Sequence, residues 1–309
     1  MRKLKILICV ALLLALTACA LGTAHAAEGK RSIVCTSFPC YDIARAVAGD
    51  RAEIKLLIKP GAEVHSFEPT PSDILSLAGC DLFAYVGGES DAWVTDILSS
   101  FGGDAPRTLR FFDCVEGIEA EHDHGAEHEH HDEHEYDEHI WTSPVNACAM
   151  VNAMADALCE IDAENEALYR ENASAYISEI ETLDAQIRDV VANAARREVI
   201  FADRFPLLYF AREYGLDWCA AFPSCSSESE PSAKTIAALI DRVVSDGIPV
   251  IYVLELSNGR TAQAISAETG AQVRTFYSMQ NVTENDFSAG ETYVTLMQRN
   301  VAALQEGLN

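Results

Sequence analysis

The chain is short of positive charge. Its 22 lysines and arginines face 48 aspartates and glutamates, a formal net charge of -26. That balance excludes nucleic acid and anionic membrane surfaces as partners and suits the attraction of cations. A second long apolar run is also missing. After the stretch from Ile6 to Ala18 nothing reads as a membrane span, which needs about 20 apolar residues. No H-E-x-x-H helix of a metallohydrolase is present, and the cysteines lack zinc-ribbon spacing. Of the nine histidines, only His25 and His65 fall outside residues 116–139. Between Glu164 and Arg196 there is neither proline nor glycine, so nothing interrupts a helix there.

What is present begins with an export signal. Arg2, Lys3 and Lys5 precede the short apolar run, and small residues follow it, the order of a secretory signal over residues 1–26. Within it Leu16-Thr17-Ala18-Cys19 resembles a bacterial lipobox, whose cysteine carries lipid. Cleavage after Ala24-His25-Ala26 is the alternative. The expected product is an exported body, lipid-anchored through Cys19 on the outer face of the cytoplasmic membrane, or periplasmic. Eight further cysteines lie beyond Cys19. Cys80, Cys148 and Cys159 sit in apolar stretches and read as small core residues.

Short β-branched runs alternate with helical patterns. Strands are expected over 32–36, 53–58, 82–86 and 108–112, and again over 198–202, 217–221, 250–254 and 272–276. Thr70-Pro71-Ser72-Asp73 and Ser143-Pro144 supply helix starts. Gly215 and Gly247 supply stops. Such alternation predicts α/β architecture with parallel sheets covered by helices. The strands divide into two groups of four around the helical stretch 164–196. The reading is two lobes, each a four-stranded parallel sheet with flanking helices, joined by one long helix. The N-terminal lobe spans 31–163 and the C-terminal lobe 197–309, with a single larger α/β domain as the alternative.

One segment breaks the pattern. Residues 116–138 are almost entirely Glu, Asp and His and too polar to offset their ordering entropy by burial, so a mobile loop is expected. His122, His124, His128, His130, His131 and His134 make it a candidate auxiliary metal loop. In open parallel sheets ligands bind beyond the carboxyl ends of strands. The imidazoles and carboxylates that follow the expected strands are His65, His139, Asp203 and Glu255. Two imidazoles with one or two carboxylates close a site suited to zinc, with manganese the competing ion. Each candidate also has a plain structural role. Asp203 can cap the helix starting near Pro206, and Glu255 can pair with Arg260.

The runs GAEVHSFEPTPSD (61–73), DEHIWTSP (137–144), FADRFPLLYFAREYGL (201–216) and ESEPSAKTIAALIDRV (228–243) resemble the zinc and manganese substrate-binding proteins of ABC transporters. The resemblance spans the mature chain in order. It implies two α/β lobes joined by a long helix, a metal held between them, and an ABC permease as partner. By position, His65 and His139 match the first two ligands of that family. Its third falls near Asp203 or Arg204, of which only Asp203 can coordinate. Its fourth falls near Tyr277 and Ser278, where no good donor stands, so Glu255, His134 or water is left to complete the shell. The resulting expectation is a non-enzymatic protein that captures zinc outside the cytoplasm and delivers it to an importer. A manganese binder, a metal buffer or chaperone, and a metallohydrolase are the alternatives.

Overall fold

A computed structural model describes residues 29–119, 136–222 and 231–309. The signal with Cys19 lies outside them, as do Cys225 and the six histidines 122, 124, 128, 130, 131 and 134. The first sheet contains β1 (Arg31–Cys35), β2 (Ala52–Leu56), β3 (Leu82–Tyr85) and β4 (Thr108–Arg110), all parallel, in the order β2-β1-β3-β4. The second repeats the plan with β5 (Glu198–Phe201), β6 (Asp217–Ala220), β7 (Val250–Leu254) and β8 (Gln272–Phe276) in the order β6-β5-β7-β8. Helices α1 (Phe38–Ala48), α2 (Pro71–Ala78), α3 (Trp93–Ser100) and α4 (Pro144–Ile161) belong to the first lobe. The second carries α6 (Leu208–Tyr214), α7 (Ala233–Ser245), α8 (Arg260–Thr269), α9 (Glu284–Ser288) and α10 (Tyr293–Leu308). Between them runs α5 (Glu166–Ala192), 27 residues and about 40 Å long at 1.5 Å per residue.

Local chemistry explains the helix starts. Thr70 and Asp73 form a reciprocal capping box, Asp73 N donating to Thr70 Oγ1 at 3.3 Å and Thr70 N to Asp73 Oδ2 at 3.1 Å, with Pro71 at the first helical position. Ser143 caps α4 through Asn146 N. Gly215 ends α6 at φ 59°, a left-handed conformation that a β-carbon disfavours.

Strand alternation divides the core. In β1, Ile33 and Cys35 face the large core shared by both lobes, while Val34 faces a smaller cluster with Leu77, Phe83 and Val94. In β7, Val250 and Tyr252 join the large core, and Ile251 and Val253 pack with Leu239, Val243 and Ile265 under α7 and α8. Both sheets are therefore covered on both faces, as parallel sheets require. The large core also takes Tyr169, Ile180, Leu183 and Ile187 from α5 and Leu296, Met297 and Leu304 from α10. Fully buried Asp42 ties three helices together, accepting from Arg45 Nη2 at 2.8 Å, Tyr293 N at 3.0 Å and the Tyr176 hydroxyl. Removing one partner of such a buried charge costs about 3–5 kcal/mol. The described cysteines are free thiols. Among the described residues no helix is long and apolar enough to cross a membrane.

Candidate metal centre

Both sheets change direction between their first and third strands, and the loops leaving the carboxyl ends of the strands there surround a cleft. The loop after β2 brings His65, the loop after β3 brings Ser90, and the segment after β4 brings Asp137, Glu138 and His139. From the second lobe come Arg204 after β5, Glu255 after β7 and Gln280 after β8. A cavity of about 70 Å³ beside His65 is lined by Glu63, Arg204, Leu254, Glu255 and Gln280, among others.

His65, Glu138 and His139 form one cluster, with a ligand atom from each lying within 4.8 Å of the others. Glu138 and His139 are buried, and the two imidazole centroids are 6.4 Å apart. Each ring is held through Nδ1. In His139 this atom lies 3.1 Å from Asp137 Oδ1, which also accepts from His139 N at 2.9 Å. In His65 it lies 3.0 Å from Ser90 Oγ. Tethering Nδ1 fixes ring orientation and makes Nε2 the coordinating atom. Burial works to raise the pKa of Asp137, but the adjacent His139, its two hydrogen bonds and Arg212 outweigh burial and hold it below the usual carboxylate range.

Glu138 is the residue that sequence reasoning missed. Its carboxylate accepts from Ser90 N at 2.8 Å, from the Ser90 hydroxyl and from Gln280 Nε2 at 3.3 Å, and its Oε1 lies 3.7 Å from His65 Nδ1. The approach depends on Gly88, where a β-carbon would overlap Glu138 Cβ and Oε2. The only signal was adjacency to His139 in the run Asp137-Glu138-His139.

Asp203 and Glu255 are not brought into this cluster. Asp203 Oδ1 accepts from Arg204 N at 2.9 Å and Oδ2 from Leu254 N at 3.2 Å, which pins the loop after β5 to the end of β7. It does not cap α6, whose N-cap is Leu207. Glu255 accepts from Ser278 N at 2.9 Å, Ser278 Oγ at 2.9 Å and Met279 N at 2.7 Å. Burial pushes its carboxyl up to about 7, against the downward pull of those donors. Arg204 reaches across the cleft to Glu63, Nη1 to Oε2 at 3.6 Å.

Known proteins resemble this chain in sequence and in fold. The zinc-binding lipoprotein AdcA of Streptococcus pneumoniae is 31% identical over 312 residues, covering 99% of this chain but 61% of its own length. The chain thus spans somewhat over half of that relative. The high-affinity zinc uptake system protein ZnuA of Bacillus subtilis is 31% identical over 290 residues, 93% of this chain and 90% of that protein. Among solved structures, the Zn(II)-bound ZnuA-like domain of S. pneumoniae AdcA superposes with a TM-score of 0.76 at 29% identity. It covers 91% of this chain and 99% of that one. The metal-dependent lipoprotein YcdH of B. subtilis gives 0.78 at 26% identity, with coverage of 90% and 99%. Residues 33–307 match the family described as ZnuA, zinc-uptake complex component A, periplasmic, and the chain belongs to that family.

Proposed function

We propose that this protein captures a zinc ion outside the cytoplasm through His65, His139 and Glu138 and hands it to the permease of an ABC importer. The observation that carries the reading is the convergence of two Nδ1-tethered imidazoles and one carboxylate at the carboxyl ends of parallel strands. Two nitrogens and one oxygen suit zinc, a borderline ion, better than manganese, which favours oxygen-rich shells. Relatives named as zinc-binding and zinc-uptake proteins support the same ion. The relative named a lipoprotein supports an anchored form, with Cys19 as the lipidated residue. The family is one of transport components, not of enzymes, so capture and release without covalent chemistry is the mechanism. The auxiliary histidines 122–134 would raise local capture through many weak contacts. Asp203 and Glu255 hold the second-lobe loops that close the cleft.

Native mass spectrometry of the full chain, titrated with zinc and manganese in competition, tests the reading. One tight zinc per chain, retained against equimolar manganese, is expected. His139→Ala should weaken it at least about 100-fold and Glu138→Gln about 10-fold or more, the second loss being about 1.4 kcal/mol. Tight binding that survives His139→Ala would overturn the assignment of the cluster.

A further inference from the structure

The second lobe meets the cluster with a positive charge. Arg204 and His65 line the same cavity of about 70 Å³, and the backbone of Arg204 is held there from both sides. Before it, Asp203 receives Arg204 N and Leu254 N on its carboxylate and Phe222 N on its carbonyl, the last at 3.2 Å. After it, Phe205 is buried and stacked on Trp218, the ring centroids 4.0 Å apart and the planes within 9° of parallel. The carboxylates that this lobe brings near do not offset the charge. Both oxygens of Asp203 and both of Glu255 are committed to donors of their own lobe.

An arginine beside a divalent cation repels it, and a guanidinium cannot shed its proton to relieve the repulsion. The counter-charge of Arg204 is Glu63, but Nη1 lies 3.6 Å from Oε2, beyond hydrogen-bond range. The Glu63 side chain is 54% exposed and stands at the rim. Among the described residues the Arg204 guanidinium makes no hydrogen bond. Its N–H groups form a fork that matches a planar carboxylate or carbonate at two points. The cavity has room for several water-sized groups, and so for an anion of about four heavy atoms.

We propose that the cleft takes zinc together with a small planar anion, a carboxylate or hydrogencarbonate, that binds the ion through one oxygen and Arg204 through another. The proposal deepens the zinc-capture reading and rests on it. The anion supplies the negative oxygen that Asp203 and Glu255 withhold, and it turns Arg204 from an obstacle into a contact. Glu63 gives up Arg204 to solvent-exposed freedom when the anion enters. Because the two ligands meet in one site, each tightens the other by the same factor.

Zinc competition against a chromophoric chelator tests this on the full chain, in carbonate-free buffer at fixed pH and ionic strength. Sodium acetate, sodium hydrogencarbonate or sodium pivalate is added at millimolar concentration, with sodium chloride as the control. Acetate or hydrogencarbonate should tighten zinc about 5-fold or more, and the stronger of the two identifies the source. Native mass spectrometry should find that anion retained with the ion. Pivalate, too bulky for the cavity, should act as chloride does, and an equal effect of pivalate would overturn binding within the cavity. Arg204→Gln should lose the anion effect yet bind zinc in anion-free buffer at least as tightly as the parent. Glu63→Gln, which frees the guanidinium, should enlarge the anion effect and serves if Arg204→Gln folds poorly. Zinc affinity indifferent to both small anions, with neither retained in the zinc-loaded mass, would overturn the proposal while leaving zinc capture intact. An anion effect undiminished in Arg204→Gln would do the same. A parent that binds no zinc in any of these buffers would overturn the underlying reading and this one with it.

Discussion

Glu138 shows how a single missing atom elsewhere shapes a site. Its carboxylate rests against the backbone of residues 88–90 because Gly88 has no β-carbon, and Ser90 then supplies two donors to it. The backbone of Gly88 has φ −95°, open to any L-residue, so Gly88→Ala acts through Glu138 and not through strain. The substitution should weaken zinc binding by about 10–100-fold, the usual cost of disturbing the groups that orient a ligand. In the double variant with Glu138→Gln, the two losses should be much less than additive, because both remove the same contact. Additive losses in a calorimetric cycle would show that Gly88 matters for some other reason. Both imidazoles of the cluster stand in blocks that the sequence singles out, since histidine is rare outside the acidic tract. Glu138 does not stand out, being one of 48 acidic residues and chosen by Gly88 and Ser90 some 50 positions away. Asp203 and Glu255 drew attention for their place after strands. Their commitment to backbone N–H groups of Leu254, Ser278 and Met279 becomes visible only once the loops are folded together.

At the scale of elements, the turn from β3 into α3 depends on Asp91. Its Oδ2 accepts from Val86 N at 2.8 Å and Gly87 N at 2.9 Å, closing the end of the strand. Burial pushes its carboxyl up to about 6, with Glu138 adding to the rise and the two N–H donors opposing it. An acid whose folded pKa lies above its unfolded value of about 3.9 binds more protons folded than unfolded between those limits. Its contribution is therefore fully stabilising below about pH 4 and is lost as pH rises through about 6. At about 1.4 kcal/mol per pH unit of displacement, the loss is on the order of 3 kcal/mol. Asp91→Asn should lack this component. The parent-minus-variant difference in unfolding free energy, measured by urea titration, should fall between pH 4 and pH 6.5 and be flat above. A flat difference throughout would show that Asp91 titrates normally. The elements themselves were legible because parallel strands buried on both faces leave apolar runs, and caps such as Thr70 and Asp73 leave fixed spacings. The boundaries were less so. β4 is only Thr108–Arg110, because Phe111–Cys114 turns into a short 3₁₀ helix. The long helix starts at Glu166, after a separate 3₁₀ turn over Ala163–Asn165 in which Asn165 Nδ2 donates to Asp162.

Across the whole molecule, the lobes meet around the cleft and not only along α5. Tyr209 of α6 receives Ile118 N at 2.9 Å and donates to Asp137 O at 3.0 Å, while Asp137 N donates to Ile118 O at 2.9 Å. Glu119 and Tyr136 form an antiparallel bridge just above. On the far side, Tyr293 of α10 donates to Trp141 O at 3.0 Å. The two ends of the acidic, histidine-rich segment are thus clamped to each other and, through Tyr209, to the second lobe, and His139 is oriented by Asp137 below the clamp. Two-lobe organisation could be read from the repeated strand groups, but this stitching could not, since Tyr209, Trp141 and Tyr293 look in sequence like ordinary core aromatics. Deleting residues 121–133 and joining the ends with a short Gly/Ser link should therefore leave the cluster assembled. A closed loop of modest length adds little to the entropy of folding, so the melting temperature of the metal-free protein should change by no more than a few degrees. Native mass spectrometry should still find one tight zinc, while the additional weakly held ions of the parent disappear. Loss of the tight ion in a variant that remains folded would mean that a histidine of the deleted segment is a primary ligand, because His65, Glu138, His139 and their tethers all lie outside the deletion.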